Sequence, residues 1–170
     1  MTNFVGLSSD SGLSDVLKMF PRNSEILLRL LDEIMCADGE LSRGDREAIA
    51  AFISKQNTTP YCVFYHTLFS EVFSGPIEET NRRIQPLLTY ARCLHSKNGD
   101  EIATAFEAAR KAGWGENAIY EVVEVCGIFG FINTIVLASG INTPDGPMHP
   151  YPTVNDLKRS YAAMADGVRN

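Results

Sequence analysis

Apolar positions recur along the chain mostly at intervals of three and four, the period of a helix with one buried face. Proline, glycine and short Asn/Ser/Thr clusters cut this pattern into helix-sized pieces. The opening, to about Phe20, is Ser/Gly-rich and mixed. Ser14 to Met19 forms a short helical piece there, closed by Pro21. Leu27, Leu30, Leu31 and Ile34 then recur at helical spacing, in a helix that ends at Gly39. Ser42, with Asp45 three residues on, predicts an N-cap and a carboxylate favoured by the helix dipole. Ile49, Phe52, Ile53 and Gln56 mark one face of that helix. The cluster Asn57-Thr58-Thr59 breaks it. Thr59-Pro60 then reads as an N-cap followed by proline at the first helical position. The aromatic-rich helix that follows runs from Pro60 to about Phe73 and closes at Gly75-Pro76.

A short helix starts at Pro76 to Glu79. Pro86 lacks an N–H and belongs in the first turn of a new helix, which runs to about Leu94 with Leu87, Leu88, Ala91 and Leu94 facing inward. After a turn at Ser96 to Gly99, Ile102, Ala105, Phe106 and Ala109 mark a helix that ends at Gly113. Glu116 to about Ser139 is one long helix. The segment 143–152 carries Pro144, Gly146, Pro147 and Pro150 and reads as a loop. Thr153 caps a last amphipathic helix from Val154 to about Ala165. No segment reads convincingly as a strand. The expectation is an all-α bundle of about seven or eight helices. It forms one domain over 1–170, with its core at about 22–141 and a C-terminal loop and helix at 142–170.

Composition narrows the function classes. A hydrophobic share of 45% in 170 residues supports a true core. Fifteen Lys+Arg against 21 Asp+Glu give a net charge of −6. Such a chain lacks the electrostatic attraction that dominates nucleic-acid binding, and anionic membrane surfaces repel it. No charge occurs between Glu124 and Asp145, a length approaching that of a membrane span. Asn133 and Thr134 near its middle, with Gly127 and Gly130, favour a helix at the centre of a bundle or at a subunit interface. Cys36, Cys62, Cys93 and Cys126 form no C-x-x-C pair and have apolar neighbours. That pattern fits a reduced, cytoplasmic setting better than a secreted disulfide framework. The first residues carry no basic region and no long apolar run, so no signal peptide is expected.

Candidate chemistry lies between Glu47 and His66. Cys62 and His66 are four apart and share a helix face. With Pro60 at the first helical position, Cys62 falls in the first turn, where free N–H groups and the dipole lower a thiol pKa. His66 can take the thiol proton or donate to a reacting oxygen. Glu47, on the preceding antiparallel helix, can orient the imidazole. Together they would make a thiol–imidazole–carboxylate relay. The plain structural reading stands beside it: a core cysteine, a satisfied interior histidine and a solvated carboxylate. His95 and His149 lie far from the motif with no metal-ligand spacing to His66, and no Gly-rich phosphate loop follows a strand. No cofactor is expected.

The arrangement Glu47-x11-Thr59-x2-Cys62-x3-His66 resembles the signature of the carboxymuconolactone decarboxylase / alkylhydroperoxidase D-like (AhpD-like) family, whose peroxidases carry Glu-x11-Cys-x2-Cys-x3-His. Leu41-Ser42, Asp45-Arg46-Glu47, Ser54, Asn57, Tyr61 and Val63 resemble it too. So do Leu87 to Ala91, Ala112-Gly113-Trp114, Ile119 to Val123 and Phe131-Ile132-Asn133, which are similar to the peroxidase-related branch. That branch commonly has arginine after the asparagine; Thr134 stands here. The likeness covers Leu27 to Ile141.

The resemblance implies an all-helical oligomer that reduces hydroperoxides. Cys62 would be the nucleophile, His66 the proton shuttle and Glu47 the relay carboxylate, with Thr59 and Tyr61 in support. Thr59 replaces the first cysteine of the pair, so the local disulfide cannot form and an external thiol, or Cys36 or Cys93 brought near, must reduce a sulfenic acid. Two other readings remain open. One is a decarboxylase-like lyase using Glu47 and His66 for proton transfer to a lactone-derived enolate, with Arg46, Arg82 or Arg83 binding carboxylates. The other is a helical oligomer without catalysis. Phe64 and Phe69 are candidates to line an apolar pocket for an organic peroxide.

Overall fold

Residues 2–168 are described by a computed structural model, and among them are ten α-helices and no strand. They are α1 (Leu13–Met19), α2 (Pro21–Cys36), α3 (Arg43–Gln56), α4 (Pro60–Ser74) and α5 (Ile77–Arg83), then α6 (Gln85–Ser96), α7 (Gly99–Lys111), α8 (Glu116–Ser139), α9 (Val154–Leu157) and α10 (Ser160–Gly167). The count exceeds the sequence expectation partly at the C-terminus. The single helix expected over Val154 to about Ala165 is two pieces, with a break at Lys158 and Arg159.

Helix α3 sits in the middle. It is buried on almost every side, from Gly44 to Ile53 apart from a half-buried Phe52, and packs against α4, α6 and α8. Its start is set as the sequence predicts: Ser42 Oγ accepts from the Asp45 amide, and Asp45 returns a bond to the Ser42 amide. It ends at Asn57, and Thr58 then takes the left-handed conformation at φ +55°. A β-branched residue rarely adopts that geometry. Here it turns the chain within three residues, so that α4 runs back along α3. Gly44 permits the contact at the other end, because a Cβ there would lie 2.6 Å from the Ser74 Cβ. Ser70 Oγ also donates to the Gly44 carbonyl at 2.9 Å.

The apolar residues that recur along α2 are not all equally buried. Leu28, Leu31 and Met35 are buried, Leu27 and Ile34 only partly so, and Leu30 is exposed. The difference arises because α10 packs on α2 as well, and its partner face includes the buried Asp32. Asp32 accepts the Ala162 amide at 3.0 Å and pairs with Arg159 at 2.6 Å, which docks the C-terminal segment. The apolar helix α8 is long enough to cross a membrane, yet it lays Ala118, Ile119, Val122, Val125, Phe129, Ile132 and Val136 into the core. Its outer face leaves Tyr120, Phe131 and Leu137 exposed.

Candidate active site

The antiparallel α3–α4 pair brings Glu47 and His66 together. His66 Nδ1 lies 2.5 Å from Glu47 Oε2, and both side chains are buried, Glu47 completely. Glu47 is therefore not the solvated charge of the plain reading. A carboxylate at this depth needs compensation. Arg43, one turn earlier on α3, supplies it as an ion pair from Nη2 to Glu47 Oε1 at 2.6 Å. Tyr161 of α10 donates its hydroxyl to the same oxygen at 3.5 Å. The Arg43 guanidinium is flanked by the Tyr161 ring at 5.0 Å and the Phe73 ring at 5.5 Å, and its Nη1 contacts Cys36 Sγ. Phe129 of α8 packs edge-on against the His66 imidazole, centroid to centroid 4.4 Å.

Cys62 occupies the first turn of α4, one turn before His66 on the same face. It is only 2% exposed. Here the structure corrects the expectation of a lowered pKa. Burial pushes the Cys62 thiol up to about 11, and hydrogen bonds from Asn133 and Ser54 offset that only in part. Desolvation outweighs the helix dipole at this depth, so the thiol rests protonated at neutral pH. The polar groups around the sulfur form a chain. Asn57 Nδ2 donates to Asn133 Oδ1 at 2.7 Å, and Asn133 Nδ2 donates to Ser54 Oγ at 3.0 Å.

Thr59 holds the N-cap position of α4 and is buried, but its side chain makes no cap bond. Its hydroxyl donates instead to the Asn57 carbonyl at 3.2 Å, within the turn that joins α3 to α4. The Tyr61 hydroxyl accepts the Leu13 amide at 3.0 Å and ties α4 to α1. Thr134 is exposed on α8 and bonds the Gly130 carbonyl, while Asn133 beside it turns inward.

The arginines suggested for carboxylate binding are otherwise engaged or distant. Arg46 bonds Glu121 at 2.8 Å and the Ala37 carbonyl at 2.6 Å, which pins the 37–42 loop to α8. Arg83 pairs with Asp45, and Arg82 is exposed. Arg43 and Tyr161 were missed. Arg43 stands at i−4 from Glu47, a spacing that pairs them on one helix face. No local signal marks Tyr161, which is 114 residues from its partner. Cys36 is half-buried on Arg43 rather than a plain core residue, and Cys93 is more buried than Cys126. The Phe69 ring lies 5.9 Å from the His66 ring. Phe64 lines a cavity of about 470 Å³ with Lys55, Thr58, Thr59, Pro60 and Val63. Among the described residues, no three His, Cys, Asp or Glu side chains gather as a metal site would require.

The arrangement of helices can be compared with solved structures. An uncharacterized peroxidase-related protein from Ralstonia eutropha JMP134, described as an alkylhydroperoxidase AhpD core, superposes with a TM-score of 0.65 at 22% identity over 76% of this chain and 74% of its own. An uncharacterized peroxidase-related protein from Silicibacter sp. TM1040 gives 0.65 at 18% identity over 86% of this chain and 92% of its own. The chain has the AhpD-like fold. No family model and no curated protein matches the sequence. At these identities the AhpD-like likeness is one of architecture.

Proposed function

We propose that this chain is a peroxidase-related, AhpD-like oxidoreductase that reduces hydroperoxides at Cys62, with His66 and Glu47 as its proton relay. The observation that carries the reading is the buried Glu47–His66 contact at 2.5 Å, one helical turn from a protonated thiol. Because Nδ1 faces the carboxylate, Nε2 is the ring nitrogen left to act as base. As a hydroperoxide enters, Nε2 takes the Cys62 proton and the sulfur attacks the terminal oxygen. The O–O bond breaks, an S–O bond forms, and the imidazolium returns a proton to the departing alkoxide. The products are an alcohol and a Cys62 sulfenic acid. Glu47 stabilises the imidazolium between these transfers. Ser54 and Asn133 stabilise negative charge on sulfur while it lasts.

With Thr59 in place of a second cysteine, the sulfenic acid is reduced by an external thiol. One equivalent gives a mixed disulfide and water; a second releases Cys62 as thiol and the reductant as disulfide. A cytoplasmic setting supplies such thiols. The half-exposed Phe131 and Leu137 on α8 suit association between copies of the chain.

Turnover distinguishes this reading from a lyase. Consumption of cumene hydroperoxide with excess thiol should depend on Cys62 and fall at least a hundredfold in Cys62→Ser. Equal consumption by Cys62→Ser, or decarboxylation of a lactone acid by that variant, would overturn the proposal.

A further inference from the structure

We propose that Arg43 and Tyr161 are positioning residues for Glu47, and that the C-terminal segment completes the relay by carrying Tyr161 into it. The inference rests on reading Glu47 and His66 as the relay. Glu47 divides its two oxygens. Oε2 faces His66 Nδ1 at 2.5 Å, while Oε1 faces Arg43 Nη2 at 2.6 Å and the Tyr161 hydroxyl at 3.5 Å. A carboxylate this buried needs a counter-charge and donors on both oxygens to hold its orientation. Arg43 neutralises it without giving up a proton. Tyr161 is itself buried, and desolvation together with the Glu47 charge pushes its hydroxyl well above the usual tyrosine range, so it stays a donor. With Oε1 occupied, Oε2 is free to receive Nδ1–H. That fixes the tautomer in which Nε2 carries the lone pair.

The parts come from distant pieces of chain. Arg43 is held between the Phe73 and Tyr161 rings. Tyr161 is held because α10 is docked through the Ala162 amide and Arg159 on the buried Asp32. The ionisable groups gathered here are Cys36 and Asp32 from α2, Arg43 and Glu47 from α3, Cys62 and His66 from α4 and Tyr161 from α10. The α8 side chain against the imidazole, Phe129, is uncharged.

The test is the ¹⁵N spectrum of the His66 ring in the full chain. The unmodified protein should show a protonated Nδ1 with a strongly hydrogen-bonded proton, and a bare Nε2. Arg43→Gln should lose that single tautomer and Arg43→Lys should restore it. Tyr161→Phe keeps the ring and therefore the packing. It should broaden the Nδ1–H signal and slow peroxide oxidation of Cys62 by about threefold, less than a short charge-assisted bond would give, because the contact is long at 3.5 Å. An unchanged His66 spectrum in Tyr161→Phe and in every folded Arg43→Gln sample would overturn the inference. A ring that responds in a protein whose Cys62 ignores peroxide would instead uphold the positioning role and defeat the peroxidase reading.

Discussion

At the scale of single residues, the decisive feature is the contest over the Cys62 sulfur. Asn133 and Ser54 favour its ionised form, and it lies in the first turn of a helix, yet burial holds its pKa near 11. In the proposed reaction, deprotonation is therefore a step within the cycle and not a state that precedes it. This has a direct consequence for pH. A thiol whose pKa is raised from 9.0 to about 11 ionises only above neutrality, so its alkylation rate should climb about tenfold per pH unit from 7 to 10. Iodoacetamide labelling of Cys62 in the folded protein, followed by peptide mass analysis, checks this. A rate already level at pH 8 would show a lowered pKa and contradict the buried geometry. The residues of the relay were legible as a spacing, because i, i+4 periodicity places Cys62 above His66. The depth of the sulfur was not. Cys62 is part of the hydrophobic core, which distant segments assemble, so its depth cannot be read from the first turn of one helix.

At the scale of elements, the α3–α4 pair does the positioning. Its two ends are fixed by different local devices. At one end Thr58 turns the chain in a left-handed conformation; at the other, Gly44 lets the helix axes approach. Glu47 and His66 lie between them. Gly44→Ala should destabilise the fold by about 1–3 kcal/mol, although alanine is the better helix former, because the added Cβ would overlap Ser74. Thermal unfolding measures this, and Gly44→Ala with Ser74→Gly should recover most of the loss. A stabilised single variant would mean that the helices are not in close contact there. The capping box at Ser42 and the proline at the start of α4 were readable because both act within one turn. Which apolar residues of α2 are buried is set partly by α10, a neighbour supplied from far along the chain, and spacing within α2 does not show that.

At the scale of the whole molecule, the segment beyond Ile141 changes its meaning. The family resemblance covers Leu27 to Ile141 and leaves this segment out. In the structure it returns to α2, docks on Asp32 and delivers Tyr161 to Glu47. The buried site thus draws on α2, α3, α4, α8 and α10, which only the assembled fold brings together. The all-α architecture followed from helical periodicity along the chain, and the AhpD-like arrangement of those helices agrees with solved structures. The central claim is that the thiol at the heart of this fold takes oxygen from a peroxide with help from the ring one turn away. Mass analysis of the intact protein, treated with one equivalent of cumene hydroperoxide in the presence of dimedone, tests it most directly. The account predicts a single dimedone adduct on Cys62 in the unmodified chain and at least a tenfold slower adduct in His66→Gln. No adduct on Cys62, or one that forms equally fast without the imidazole, would contradict it.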